Sequence, residues 1–415
     1  MKMNFYRYNG YTLCSWDALP YEKIDTLPAA GEVIFLFRRP LLSGRESYPV
    51  TDAALLTERE SVDTLNASAP APAIPSELAE AVRAGRVRAV NGQHPRWQEL
   101  LSPLPKKEKY RVNLLGLGDV GSTLLMGLRL LGGDVLSSIG LCDLRENVPR
   151  RWEFELNQIG LPWDYDALPP VEIISPEELF SGEVFLFCAS RFVPDTAVRD
   201  GDVRMAQYEL NRDLVAQYAK KARQARYKGL FCVVSDPVDP LCRAALLESN
   251  RDEAGNLDGL GLFPHQVRGF GLGVMNARAA YYAKKDPRFA GFLTDGRSFG
   301  PHGEDLVIAN SLEAYDPALS DELTQKAVRA NLEMRALGYK PYVAPAFSSG
   351  ALSLLLTLRG QWHYGSVFLG GVYMGCKNRY TPLGLETELA PLPAPLLARI
   401  RKAADHLASL AQPLE

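Results

Sequence analysis

The chain has 415 residues, 47% hydrophobic and 23% charged, with a formal net charge of -3 and a pI near 6.1. That length supports two or three domains around a large core, and the weak net charge argues against a nucleic-acid partner drawn by bulk electrostatics. No basic-then-apolar leader opens the sequence and no uncharged run reaches membrane-spanning length, so a cytoplasmic protein with no membrane partner is expected.

Residues 1–108 read as an appended domain of unknown role. One strand stands out, Glu32–Arg38, and the periodicity predicts a helix over Ser76–Arg83. The Ser/Ala/Pro-rich stretch Asn66–Pro75 between them reads as a linker. His94 and Trp97 read as turn and packing residues, and no chemistry is assigned to this segment.

The most informative stretch is Arg111–Asp143. An apolar run, Val112–Leu115, leads into Gly116-Leu117-Gly118-Asp119-Val120-Gly121, then a helix-periodic segment, then a second apolar run ending in Asp143. Dinucleotide binding makes demands that these residues meet in order. Gly116 permits the tight turn, Gly118 lets the backbone approach a pyrophosphate, and Gly121 lets helix and strand pack closely. The pyrophosphate would rest on the helix N-terminus, where free N–H groups and the dipole favour an anion. Asp143 stands where a carboxylate can take the adenosine ribose hydroxyls. It favours NAD over NADP, although Arg145 beside it weakens that choice.

Beyond the motif, apolar strands at 111–115, 138–142, 171–174, 183–188 and 229–235 alternate with helices near 120–131, 205–226 and 240–249, with a further helix near 150–158. That alternation predicts an α/β fold, a Rossmann-type doubly wound parallel sheet, over residues 109–262. From 263 to 415, helices at 276–284, 320–336 and 393–409 mix with strand-like pieces, as an α+β substrate-binding domain would. The six cysteines show no metal-ligand spacing; Cys142, Cys188 and Cys232 lie in strand-like runs and read as buried thiols. No metal is expected.

Past the glycine motif the chain resembles the lactate/malate dehydrogenase family over roughly 300 residues. Phe185–Ser190 resembles the strand entering that family's mobile loop, and the segment through Arg199 and Arg204 to Asn211 resembles the loop and its helix. Ser235-Asp-Pro-Val-Asp239 resembles the family's Ser-Asn-Pro-Val-Asp. Asn276-Ala-Arg278 and Gly300-Pro-His302-Gly303 follow in the family's order. The resemblance implies His302 as general acid/base, Arg204 polarising the reacting carbonyl, Arg278 clamping a substrate carboxylate, and NAD contacts at Ser190, Asn211 and Ser235. An imidazole suits proton transfer near neutral pH, and a guanidinium fork suits a carboxylate. The resemblance also implies a homodimer or homotetramer.

Three departures touch the chemistry. The family's histidine is paired with a carboxylate; aligned on Arg278, that position holds Met275, which cannot orient an imidazole. Asn276 could replace it in part through its amide oxygen, though it points about 100° away on a helix. Asp236 stands where the family has asparagine, whose amide can donate to a carbonyl, while ionised aspartate only accepts. Asp236 can supply the anion missing at 275, face a cation such as a protonated imine, or serve as a turn residue before Pro237. The loop is also longer than the family's, so its specificity position falls on Val198 or Arg199, with opposite consequences for the substrate.

These readings lead to an NAD-dependent oxidoreductase moving a hydride between nicotinamide and a small carboxylated 2-hydroxy or 2-keto acid, or a related imine or amine. The alternative is a catalytically impaired NAD(H)-binding sensor or partner subunit, motivated by Met275. A metal-dependent glycosidase on a related fold would need Cys242 and His265 as ligands.

Overall fold

The computed structural model describes residues 2–57, 59–102, 106–191 and 202–410, with side chains described from Tyr208 onward in the helix that begins at Asp202. The first hundred residues form a six-stranded sheet. Its strands are β1 (Asn4–Tyr8), β2 (Tyr11–Ser15), β3 (Glu22–Ile24), β4 (Val33–Phe37), β5 (Ser47–Pro49) and, after helix α1 (Ser76–Arg83), β6 (Val87–Asn91). They lie in the order β3-β1-β2-β4-β6-β5. Sequence reasoning found only β4 and α1. The missed signal was Asn9-Gly10, which turns β1 into β2 with both residues at positive φ, as a two-residue hairpin turn requires.

A second sheet of nine strands organises the rest. Its parallel part comprises β7 (Tyr110–Leu115), β8 (Leu136–Cys142), β9 (Val171–Ile173), β10 (Val184–Phe187), β11 (Leu230–Val233) and β12 (Val267–Gly269). Between them run α2 (Asp119–Leu131), α3 (Asn147–Leu156), α4 (Asp202–Gln224) and α5 (Val238–Ser249). The spatial order β9-β8-β7-β10-β11-β12 reverses direction between β7 and β10, the topological switch point of a Rossmann-type sheet. Strand interiors are continuously apolar because helices cover both faces: Val184, Phe185, Leu186 and Phe187 are all fully buried.

The remaining elements are α6 (Leu272–Ala283), the single turn α7 (Phe292–Asp295), the hairpin β13 (Arg297–Phe299) and β14 (Val307–Ala309), and α8 (Pro317–Ala336). A π-helical turn over Pro345–Ala351 runs into α9 (Leu352–Leu358). Then β15 (His363–Phe368), β16 (Tyr373–Thr381) and β17 (Gly384–Thr387) extend the nine-stranded sheet antiparallel from β12, and α10 (Ala394–Ser409) closes the chain. Strands from the C-terminal third thus continue the sheet built by residues 110–269, which the sequence reading had not anticipated.

The first sheet is tied closely to the second. The buried Glu46 carboxylate accepts from the backbone N–H of His265 (2.9 Å) and pairs with its ring Nδ1. Leu42 sits in one core cluster with Phe231, Leu241 and Tyr373, and Phe263 sits in another with Tyr6, Leu13 and Ile34. The stretch read as a linker is pinned at its start, where the N–H of Ala67 donates to the Ala390 carbonyl (2.8 Å). Among the described residues, no helix is long and apolar enough to cross a membrane.

Candidate active site

Parallel strands end on one edge of the sheet, and the turn after each delivers side chains to a common crevice. Gly116 follows β7 with φ +94°, and a β-carbon there would stand 2.7 Å from the N atom of Ala189, which follows β10. The two strand ends therefore meet only because residue 116 has no side chain. A β-carbon at Gly121 would collide with the Gly116 carbonyl oxygen, while at Gly118 no atom lies within 4 Å of that position. Gly118 is thus the open face of the turn. It caps α2 without any side-chain bond to the first-turn N–H groups, leaving them available to an anion. Asp119 on that turn pairs with Lys340 (3.0 Å), an exposed bridge from the segment after α8, and Val120 is partly buried against the core.

Asp143 ends β8 and reaches back to the same turn, accepting from the N–H of Leu117 (2.8 Å). It also accepts from the N–H and Nε of Arg145, each at 3.0 Å, and from Nη2 at 3.2 Å. Burial alone would raise its pKa, but the hydrogen bonds from Arg145 and Leu117 outweigh that and hold it below the ordinary carboxyl value.

Beyond β10, Ser190 donates to Asn211 Oδ1 (3.2 Å), the N–H of Arg191 donates to the same oxygen (3.0 Å), and Asn211 Nδ2 donates to the Asp236 carbonyl (2.9 Å). Asn211 is fully buried, and its side chain fastens the end of β10 to the turn after β11. Ser235 likewise donates to the Ala189 carbonyl (2.7 Å). The sequence reading took Asn211 and Ser235 as cofactor contacts; their described bonds are to the protein.

A histidine–carboxylate pair lies at the end of β11. His302 rides on the Gly-Pro-His-Gly turn between β13 and β14, where Gly300 adopts φ +94° and donates its N–H to the Gly375 carbonyl (3.0 Å). Opposite stands Gly271 at the start of α6, where a β-carbon would come within 3.1 Å of His302 Cβ. The imidazole Nδ1 lies 3.5 Å from Asp236 Oδ1, with the carboxylate side chain 50% and the imidazole 23% exposed. This is ion-pair distance, longer than a good hydrogen bond; such contacts commonly tighten once a site is filled. Of the three readings of Asp236, the geometry favours the anion facing the histidine, and the residue also forms the turn, through a cis bond to Pro237.

Met275 is 1% exposed and packs among Leu272, Val274, Ala279 and Phe289. Asn276 donates through Nδ2 to Ser298 Oγ (3.2 Å). Arg278, half-buried on α6, makes only two long contacts, through Nη1 to Met275 Sδ (3.5 Å) and to the Ala327 carbonyl (3.4 Å). Among the described residues it has no carboxylate partner, and its partial burial disfavours the charge. Arg199 lies outside the described residues, as does the side chain of Arg204.

Sequence reasoning missed Asp239, on the first turn of α5. Its carboxyl is buried with one oxygen unbonded among the described residues. Burial pushes its pKa up to about 7, against the pull of nearby His302. The Ser235–Asp239 motif contains it, but its depth is set by helix packing and cannot be read from the motif. Cys242 is a buried free thiol and His265 is engaged with Glu46, so neither offers a metal site, and no cluster of ligating side chains occurs among the described residues.

No family model matches the sequence. Among known proteins, a probable malate dehydrogenase of Campylobacter jejuni is 26% identical over 294 residues, covering 66% of this chain and 90% of that protein. An L-lactate dehydrogenase of Treponema denticola is 27% identical over 219 residues, covering 52% of this chain and 62% of that one. The chain is a divergent relative of the lactate and malate dehydrogenases. Solved structures share the fold of this lactate/malate dehydrogenase relative at low identity. A minor L-lactate dehydrogenase from Enterococcus mundtii superposes with a TM-score of 0.58 at 18% identity, over 73% of this chain and 98% of that one. A malate dehydrogenase from Archaeoglobus fulgidus, solved with NADH, gives 0.58 at 17% identity over 73% and 99%.

Proposed function

We propose that the chain is an NAD-dependent oxidoreductase that moves a hydride between nicotinamide and a small carboxylated 2-hydroxy or 2-keto acid, or a related amine or imine. The observation that carries this reading is the His302–Asp236 pair, set on the same strand-end edge of the sheet as the glycine cradle. The cradle fits the cofactor: Gly116 and Gly121 admit no side chain, Gly118 is open, and the first-turn N–H groups of α2 are uncapped. Gly116 to Gly121 would hold the pyrophosphate, Asp143 the adenosine ribose, and Ser190 would border the nicotinamide half. When bound, nicotinamide supplies or accepts the hydride.

The chain's own groups handle the proton. His302 Nε2 would give a proton to, or take one from, the substrate oxygen or nitrogen. Asp236 on Nδ1 would hold the ring's tautomer and stabilise the imidazolium. Arg278 would receive the substrate carboxylate, for which a guanidinium without a carboxylate partner among the described residues is suited. Arg204, in the first turn of α4, would polarise the reacting carbonyl, with Arg199 a candidate for the specificity position. Asn211 and Ser235 support this geometry indirectly, by fixing the strand ends. On this reading residues 109–262 bind the dinucleotide, 263–415 contribute the substrate side, and 1–108 are an appended domain.

The test is to titrate NADH by fluorescence, then to follow its oxidation with a panel of 2-keto and 2-imino acids. Binding with turnover of at least one substrate, lost in His302→Asn with nucleotide affinity kept within about twofold, is expected. Binding without any turnover would favour a non-catalytic sensor. Equal rates in both proteins would remove His302 from the mechanism.

A further inference from the structure

We infer that Arg145 sets the choice between a dinucleotide with a free adenosine ribose and one bearing a 2′-phosphate, and that it lets this chain take both. The inference rests on the dinucleotide reading above and adds the residue that tunes it.

An ionised carboxylate offers about four lone-pair directions. Asp143 has all four occupied: Oδ2 by the N–H of Leu117 and Nη2 of Arg145, Oδ1 by the N–H and Nε of Arg145. The two backbone donors fix the orientation of the carboxylate. The other two come from one guanidinium, laid fork-like over both oxygens.

Exposure shows which side the fork covers. The Asp143 side chain is 8% exposed and that of Arg145 is 64% exposed, so the guanidinium lies between the carboxylate and solvent. Leu144 between them is almost fully exposed, so the turn is not packed down by its own side chain. Ribose hydroxyls can reach Asp143 only by displacing the two guanidinium bonds. A free-ribose dinucleotide therefore competes with Arg145 for its anchor.

A 2′-phosphate meets different electrostatics. An unpaired aspartate there would repel it, but the Asp143–Arg145 pair is locally neutral. The guanidinium can also turn outward, two residues from its carboxylate, and receive two phosphate oxygens in the geometry for which its planar fork is suited. One side chain thus weakens the preferred grip on NADH and supplies a grip on NADPH.

Affinities test this without any turnover. NADH, NADPH, 5′-ADP and 2′,5′-ADP are titrated against wild type and Arg145→Ala, whose fold is checked by circular dichroism. Wild type is expected to bind NADPH within about tenfold of NADH. In the variant NADH should tighten by about two- to fivefold, and the NADPH-to-NADH ratio of dissociation constants should rise at least about tenfold. The two short probes should follow the same pattern. A ratio that moves by less than about threefold, or a wild type that rejects NADPH as firmly as the variant does, would overturn the inference. A wild type that binds none of the four would instead remove the dinucleotide reading itself.

Discussion

The glycine cradle and the histidine–carboxylate corner sit on the same edge of one sheet, yet they are encoded differently. The cradle is written in backbone. Gly116 and Gly121 are there because no β-carbon fits, and no other residue type meets that demand. The corner is written in side chains that can exchange places. A methionine fills the helix position where the resemblance calls for a carboxylate, and a carboxylate from the turn after β11 faces the histidine instead. Function that depends on the absence of atoms tolerates little substitution. Function that depends on a charge within reach of a ring can be met from more than one element.

The first way to break this comparison is Asp236→Asn. The amide still accepts a hydrogen bond but cannot stabilise imidazolium, so turnover should fall by about 10²–10⁴ with nucleotide affinity unchanged. A rate within about threefold of wild type would mean the exchange of carboxylates has no catalytic meaning.

The converse substitution, Met275→Asp, asks whether the carboxylate that the resemblance calls for at this helix position can be supplied there. The site is 1% exposed and apolar, so a carboxylate there would be buried. We expect a loss of about 3–5 kcal/mol in urea unfolding and no gain in rate.

Asp239 sharpens the picture of the corner. Unfolded, it titrates at about 3.9; folded, at about 7. Below the first value both states hold the proton. As pH rises through the window between the two, only the unfolded chain releases it, so this group's contribution to stability is full in acid and lost toward neutral pH. The loss is on the order of 4 kcal/mol by pH 8. Asp239→Asn should flatten the difference in unfolding free energy between pH 4 and 8, and a variant with the wild-type slope would assign that slope elsewhere.

The smallest effect falls on the cradle itself. Gly121→Ala must push α2 away from the Gly116 carbonyl, at a cost of about 1–3 kcal/mol, and NADH affinity should drop by about tenfold or more. Unchanged binding would show the turn to be softer than its geometry implies.

How much of this was legible follows the same division. The cradle, the parallel sheet and helices such as Ser76–Arg83 carry local signatures: glycine spacing, apolar runs and helical periodicity. The corner joins residues 66 positions apart, and Asp236 stayed open among three readings because the sequence could not say what it faced. Asp239 stood in the Ser235–Asp239 motif but received no role, because its burial is a property of packing. Lys340 and Asp119, 221 positions apart, meet only in the folded chain. In the first hundred residues, short strands with irregular alternation hid the sheet, although the Asn9-Gly10 turn marked its first hairpin.

The pairing of Glu46 with His265 has a consequence for how this molecule could be shortened. A chain begun near Lys106 would leave that buried imidazole, and the N–H of the same residue, without their Glu46 partner. Leu42 would be missing from beside Phe231 and Leu241, and Phe263 would be stripped of its neighbours. Stability would then be lost from the very layer that supports the turn after β11. The extra sheet is thus a buttress for the strand-end edge, and cutting it away would be felt first in the packing beneath the turn that carries Asp236.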